Sequence, residues 1–200
     1  MRSEPYDNKS GKKIWLNEVE QEQLLNYYEE DLDAELAIRL GLHGLRADEI
    51  INVRKKHIRE LETKSDGERY VLIVPTGKSG FGEVPITSEL KKKIYTTVNA
   101  RSMTQNEAVI DYSKKSIQRW VKKAGKALHE EHGKDWNELT CHDLRRTWAT
   151  DLYYSLNGDR ARELVMSFGR WTDAATFQNN YLGKPTDSVI SEEMDEAEIR

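Results

Sequence analysis

The feature that most constrains the fold is an apolar stripe at helical spacing that follows Ser113. Ile117, Val121, Ala124 and Leu128 recur every three or four residues, which places them on one face of an α-helix. Ser113 is a residue type that favours the position just before a first helical turn. Such a helix gains its stability by packing its apolar face against other elements. The chain is therefore expected to build a mainly helical core.

Similar signals mark further helices and one small sheet. Asn17 followed by Glu20 has the pattern of a capping box, and Thr87 or Ser88 can cap another helix. Alternating, β-branched runs between about residues 55 and 86 predict three short antiparallel strands. The predicted fold class is α+β and mostly helical, with helices around a small three-stranded antiparallel sheet.

The composition is typical of a protein with a heavily solvated surface. Hydrophobic residues make up 37% of the chain and charged residues 33%. No apolar run approaches the ~20 residues that a membrane span needs, and the N-terminus lacks the hydrophobic region of a signal peptide. The single cysteine, Cys141, permits no disulfide within the chain. We therefore expect a cytoplasmic protein with no membrane association.

The net charge of −4 conceals an uneven distribution of charge. Six acidic residues lie between Asp187 and Arg200, so that residues 1–186 carry a net charge of +1. A local basic face is enough for binding to a polyanion, whatever the charge of the whole chain. The segment 113–126 contains no acid and is the candidate DNA-binding helix, with the basic residues Lys114, Lys115, Arg119, Lys122, Lys123 and Lys126. The alternative is a solvated lysine-rich face.

Chemically reactive residues occur in a recognisable order along the chain. Taken singly, each has a structural explanation, such as an arginine paired with Glu49 or a tryptophan in the core. His142 and Arg145 share a helix face, however, and two cationic groups side by side indicate an anion between them. The full series consists of Arg46 in "GLRADEI", Lys78 in a glycine-rich turn, His142 and Arg145 in "HDLRRT", Trp171 after a glycine, and Tyr181.

This series resembles the catalytic domain of the tyrosine recombinases, the phage integrase family, from about Trp15 to Leu182. The resemblance implies a fold of the DNA breaking-rejoining type and an enzyme that cleaves and rejoins DNA through a 3′-phosphotyrosyl intermediate. It implies no metal or nucleotide cofactor, and double-stranded DNA as partner. It also implies a homotetramer on DNA, a monomer when free, and a location at the nucleoid or in the host cell of a virus.

The resemblance also implies a role for each residue. Arg46 and Arg145 would neutralise the non-bridging oxygens of the scissile phosphate, because guanidiniums are permanently charged, forked donors. His142 would donate to the phosphate or shuttle a proton, and Lys78 would protonate the leaving 5′ oxygen. Tyr181 would be the nucleophile. Trp171 would donate its indole N–H, and Glu49 would orient a cationic neighbour.

The sequence departs from the family pattern in two ways. The histidine or tryptophan usually stands about nine residues before the tyrosine, whereas Trp171 and Tyr181 are ten apart, and Arg170 is a competing candidate for that position. The helical core-binding domain usually found upstream is also absent, so the chain is expected to be an excised catalytic fragment or a minimal member. Its grip on DNA should then be weak and salt-sensitive. Tyr112, Tyr153 and Tyr154 are poorer candidates for the nucleophile.

The predicted organisation has three parts. Residues 1–13 form an N-terminal arm or linker, residues 14–183 the catalytic domain, and residues 184–200 an acidic tail. That tail is either a solubilising arm or a segment exchanged between protomers. Two other functions compete with the recombinase. A type IB topoisomerase would share the chemistry, and a non-catalytic DNA-binding relative would keep the basic helix without needing the nucleophile.

Overall fold

The structure is a computed structural model that describes residues 1–63, 67–75, 80–156, 158–185, 187–196 and 198. Lys78 and most of the predicted glycine-rich turn therefore lie outside the described residues. The described part of the chain folds into helices and two small antiparallel sheets, as the sequence predicted for the fold class.

Two small antiparallel sheets pack against the helices. Strands β1 (Arg2–Pro5) and β2 (Lys12–Trp15) form a hairpin in which Arg2 pairs with Trp15. Strands β3 (Ile58–Glu60), β4 (Tyr70–Val74) and β5 (Gly82–Ile86) form the predicted three-stranded sheet, in the order β3-β4-β5. The helices are α1 (Glu18–Asn26), α2 (Leu32–Gly41), α3 (Ala47–Ile50), α4 (Ser88–Ala100), α5 (Lys114–His132), α6 (Cys141–Ser155), α7 (Ala161–Gly169), α8 (Ala174–Asn180) and α9 (Asp187–Glu196).

The hydrophobic core has two parts that meet along α2 and α6. The larger part packs the inner face of β4, including Leu72, against α2, α4 and Trp148 of α6. The smaller part packs α1 and α5 around Ile14 of β2 and the fully buried Trp136. Trp120 and Cys141 contact both parts. Helix α6, which carries the His-x-x-Arg motif, is therefore packed on both sides.

Local capping signals in the sequence are confirmed. Asn17 and Glu20 form the predicted capping box, Thr87 caps α4, and Ser113 caps α5 through the amide of Ser116. The predicted buried stripe of α5 is also confirmed, because all four of its apolar residues are buried. Among the described residues, no helix combines the length and the apolar character that crossing a bilayer requires.

Three segments differ in detail from the expectations. Residues 1–13, expected to be an arm or linker, contain β1 and the first two residues of β2. The first predicted strand of the sheet is shortened by a 3₁₀ turn at Lys55–His57, in which His57 is buried. Helix α8 ends at Asn180 instead of Gly183, and Tyr181 is its C-cap residue, with φ −123°. Tyr181 therefore stands at a helix end, where side chains from elsewhere can set its position.

We expect Gly125→Ala to destabilise the protein by about 1–3 kcal/mol, the range for overpacking a tight contact. A Cβ at residue 125 would lie 2.5 Å from the carbonyl oxygen of Trp136, a backbone atom that cannot turn away. Gly41→Ala is the matched control, because the nearest atom to its Cβ would be Cδ1 of Leu144, a side-chain atom that can move, at 2.8 Å. Urea unfolding of both variants measures the difference. An equal loss of stability would contradict this account of the packing of α5.

Candidate active site

The start of α6 is held by a buried carboxylate. Asp143 accepts hydrogen bonds from the amide and hydroxyl of Thr140, at 2.8 and 2.5 Å, which closes a capping box. Its other oxygen accepts from the amide of Ile14, at 3.0 Å, and from the guanidinium of Arg146. These bonds give the first turn of α6, and with it His142, a defined orientation.

Arg145 is almost completely buried and ties three segments together. Its guanidinium donates to the carbonyls of Gly44, just before α3, and of Gly169, at the end of α7. It also stacks on the ring of Trp171, with 4.3 Å between Cζ and the ring centroid. Burial, and next the positive charge of Arg46, lower the pKa of Arg145. The site thus holds a guanidinium close to other cations and away from water.

Glu49 lies between two arginines. Its carboxylate accepts from Nη1 of Arg46 at 2.7 Å, as the i,i+3 spacing predicted, and from Nη2 of Arg170 at 2.6 Å. It also accepts from the backbone amide of Arg46 at 2.8 Å, which fixes the start of α3. Glu49 and Arg170 are buried, while the Arg46 side chain keeps 13% of its surface exposed. Arg46 is therefore the member of this trio with access to a bound molecule.

Arg170 and Trp171, the two candidates for one family position, have different surroundings. Arg170 adopts the left-handed conformation (φ 55°, ψ 42°) and packs its aliphatic part over Gly82, at the start of β5. Burial is the largest cause that lowers the pKa of Arg170. Trp171 instead lies against Tyr181, with ring centroids 4.5 Å apart, and under the guanidinium of Arg145. Trp171 is thus the candidate that contacts the predicted nucleophile.

Tyr181 lines an open cavity although only 9% of the residue is exposed. The cavity measures about 380 Å³ and is also lined by His142, Arg146 and Lys13. The Tyr181 ring centroid is 6.3 Å from that of His142 and 5.9 Å from the Cζ atoms of both Arg145 and Arg146. Its own chain therefore brings the tyrosine to the arginines.

Arg146 is a site residue that the sequence analysis missed. It lines the cavity beside Tyr181 and a second cavity of about 420 Å³, and His142 lines both. Arg145, at i+3 from His142, lines neither. The second arginine of "HDLRR" was the available signal, since i+4 neighbours also share a helix face.

The pKa of His142 is lowered although the residue is exposed on one side. Desolvation by the surrounding protein is the largest cause, followed by the positive charges of Arg146 and Arg145. The neighbouring Cys141 has its pKa raised to about 12, chiefly by burial, so its thiol stays protonated. These surroundings therefore favour a neutral imidazole and a protonated thiol at this helix start.

The predicted basic helix is exposed along its whole charged face, but its lysines have different surroundings. Lys122 lines the cavity that His142 and Arg146 share. Lys123 instead lines a separate cavity beside the acidic segment 29–31. The remaining members of the set, Lys114, Lys115, Arg119 and Lys126, are exposed to solvent. Only part of the stripe thus faces the candidate active site.

Solved structures with the same fold are DNA recombinases. The XerA recombinase matches with a TM-score of 0.68 and 21% identity, covering 94% of this chain and 66% of that one. The Tn1549 transposon integrase in complex with circular intermediate DNA matches at 0.65 and 16% identity, covering 96% and 69%. A lambda integrase dimer bound to a core site matches at 0.59 and 16%, covering 91% and 65%. At these identities the similarity shows the fold.

The chain belongs to the phage integrase family, because the sequence model of that family matches residues 14–185. The resemblance predicted from the residue series is thus confirmed, and so is the predicted fold class. No curated protein matches this chain in sequence. The chain spans about two thirds of the length of the three structures above.

We expect His142 to titrate below the ordinary imidazole value of about 6.5 in the free protein. Because the folded state opposes the imidazolium, protonation of His142 should lower the free energy of unfolding as the pH falls below that value. Sulfate bound beside the arginines should offset their repulsion of the imidazolium and so raise the pKa of His142. NMR titration of the imidazole with and without sulfate measures the change, and Arg46→Gln should weaken the sulfate effect. A titration that sulfate does not move would contradict an anion site here.

Proposed function

We propose that the chain is the catalytic domain of a site-specific recombinase that cleaves and rejoins double-stranded DNA through a 3′-phosphotyrosyl intermediate. The observation that carries the proposal is the convergence of Arg46, Arg145, His142 and Tyr181 from three separate helical segments. Membership of the phage integrase family and the DNA-bound recombinases of the same fold support DNA as the substrate. Assembly into a tetramer on DNA is part of this proposal.

An excess of positive charge supports a phosphate as the bound anion. Among the described residues, the buried charges of the site are the guanidiniums of Arg145, Arg146 and Arg170 and the carboxylates of Glu49 and Asp143, and the partly buried Arg46 adds a fourth guanidinium. The other acids near the site, Asp7, Asp48 and Glu138, are not buried. Buried cations are stable only when they are paired, so a site with surplus guanidiniums favours an anionic ligand.

Buried donors also support an anion at this point. Within the described part of the chain, the Nε atoms of Arg145 and Arg170 and the indole Nε1 of Trp171 are buried without a hydrogen-bond partner. A buried donor that bonds to nothing costs free energy, and such groups are rare in folded proteins. The equatorial oxygens of a phosphoryl transition state need several donors at once, which this arrangement offers.

The proposed reaction assigns one step to each of these groups. The phenolic oxygen of Tyr181 attacks the phosphorus, while Arg46 and Arg145 neutralise the two non-bridging oxygens. The neutral imidazole of His142 accepts the phenolic proton or donates to the phosphate. Lys78 protonates the leaving 5′ oxygen, a role that rests on the family resemblance because this residue lies outside the described part. Reversal with another 5′-hydroxyl exchanges strands without a nucleotide cofactor.

Two alternatives share features of the site. A type IB topoisomerase would use the same chemistry without exchanging defined strands. A DNA-binding relative without activity would need neither a tyrosine beside the arginines nor a cavity that reaches it. The position of Tyr181 in the cavity with His142 and Arg146 favours an enzyme over the binding module.

We expect Tyr181→Phe to abolish a covalent protein–DNA adduct that the wild-type protein forms on a nicked or phosphorothiolate substrate. Tyr153→Phe is the matched control, because it keeps the ring that packs against Phe177 and Tyr154, and residue 153 does not line the cavity. A denaturing gel separates adduct from free protein. Adducts of equal yield in wild type and Tyr181→Phe would assign the nucleophile to another residue, and no adduct on a cognate site would favour the binding module.

We expect Lys122→Gln to weaken DNA binding more than Lys123→Gln does. Lys122 faces the cavity of His142, whereas Lys123 faces the acidic segment 29–31, and only the former is oriented to meet a backbone phosphate. Loss of one phosphate contact should reduce the slope of log K against log salt by about 1. Fluorescence anisotropy at several salt concentrations measures the slope. Identical slopes for the two variants would contradict this orientation of the basic helix.

A further inference from the structure

We propose that the β1–β2 hairpin is a clamp that sets the position of Tyr181, with Lys13, Trp15 and Arg146 as its positioning residues. The functional part of this inference rests on the proposed function, since a nucleophile must be aimed at a phosphorus. The clamp itself is a structural claim that can be measured without DNA.

The carbonyls around Tyr181 accept hydrogen bonds from side chains far away in sequence. Lys13 Nζ donates to the carbonyl of Asn179 at 2.7 Å, and Trp15 Nε1 donates to that of Tyr181 at 3.0 Å. Arg146 Nε donates to the carbonyl of Asn180 at 2.6 Å. Three consecutive carbonyls are thus held by two hairpin residues and one residue of α6.

The hairpin also holds the chain beyond the nucleophile. Arg2 in β1 donates to the carbonyls of Lys184 and Pro185, the first at 3.0 Å. Trp15 packs against Gly183, where an added Cβ would lie 2.9 Å from the indole ring. The contact therefore extends from residue 179 to residue 185.

The need for these donors follows from where α8 ends. The last carbonyls of a helix have no partner within the helix and must bond elsewhere. Tyr181 is the C-cap residue, and on the side of α6 only Thr150, among the described residues, bonds to its carbonyl, at 3.2 Å. The hairpin supplies the second bond to this carbonyl, from Nε1 of Trp15.

The hairpin is itself fixed to the helix that carries His142. The amides of Ile14 and Leu16 donate to the side chains of Asp143 and Thr147, each at 3.0 Å. The hairpin, α6 and the segment 179–185 therefore share one hydrogen-bond network.

Arg146 is the junction of that network. One guanidinium bonds to Asp143, to the carbonyl of Asn180, and to the hydroxyl of Tyr6 at 2.9 Å. Arg146 and Lys13 are buried to more than nine-tenths, and a buried cation holds its place only while its partners remain.

The loop of the hairpin reaches the cleft that DNA would occupy. Tyr6 and Lys9 line both cavities beside His142, and the Lys9 ammonium lies 4.0 Å above the Tyr6 ring. A phosphate that draws Lys9 or Tyr6 towards it moves a partner of Arg146, and Arg146 holds the residue before the nucleophile. The hairpin thereby couples substrate entry to the position of Tyr181.

Hydrogen exchange of the free protein, read by mass spectrometry over residues 176–185, tests the clamp. Lys13→Met should speed exchange of this segment about fivefold, the effect of losing one ordinary hydrogen bond, and Lys13→Arg should restore slow exchange because it keeps a donor. Trp15→Phe, which removes only the indole N–H and part of the ring, should act in the same direction. Lys12→Met is the matched control, because Lys12 bonds to Asp135 and not to this segment.

The second measurement is single-turnover adduct formation at saturating DNA. Lys13→Met should slow adduct formation about 10- to 100-fold even when DNA saturates the protein, because a misplaced nucleophile loses reactivity however much DNA is bound. Lys13→Arg should recover most of the rate, which a general loss of folding would not allow. A melting curve for each variant identifies any that is unfolded, and Trp15→Phe then takes the place of Lys13→Met.

The outcomes separate the clamp from the proposed function. Unchanged exchange in both Lys13→Met and Trp15→Phe would overturn the clamp. Faster exchange with an adduct rate equal to that of the wild type would overturn its positioning role. Faster exchange in a protein whose wild type forms no adduct would support the clamp and overturn the proposed function instead.

Discussion

The candidate active site depends on the ion pairs that the carboxylate of Glu49 forms with two arginines. The carboxylate is buried between Arg46 and Arg170, and it holds side chains from α3 and from the end of α7 at one point. Without it, these guanidiniums and that of Arg145 would repel one another in a medium of low dielectric constant. Removing one partner of a buried ion pair typically costs about 3–5 kcal/mol, because the remaining charge stays unpaired. Glu49 thus makes a concentration of positive charge compatible with a folded protein.

Helix α6 carries two neighbouring arginines, Arg145 and Arg146, that make different contacts. On one side, Arg145 reaches the carbonyls of Gly44 and Gly169 and joins the cluster around Glu49. On the adjacent side, Arg146 bonds to Asp143 and reaches the chain beside Tyr181. One helical turn therefore connects the arginine cluster around Glu49 to the tyrosine, and the capping box at Thr140 fixes that turn.

Sequence patterns predicted the parts of this arrangement that depend on neighbours in the chain. The caps of α1 and α5, the buried stripe of α5 and the i,i+3 pair of Arg46 with Glu49 each follow from spacing alone. The second partner of Glu49, Arg170, and the bonds to the Tyr181 segment could not be predicted in this way. The bond from Arg170 and the bonds from the hairpin join residues more than a hundred positions apart, and their existence depends on how α6, α7 and the hairpin pack together. The hairpin lacked a signal because each of its strands is only four residues long.

The side chain of Trp171 packs against two residues of the candidate site and also offers a hydrogen-bond donor. Its ring covers the guanidinium of Arg145 on one side and contacts Tyr181 and Phe177 on the other. An aromatic face stabilises a cation that has lost water, so the indole offsets part of the cost of burying Arg145. The indole N–H can only donate, which confines proton transfer to other groups in the cleft. A histidine there would titrate among several guanidiniums and add a charge that the cluster already has in excess. In this chain the tryptophan therefore orients Arg145 and Tyr181, and the imidazole of His142 is left as the titratable group beside them.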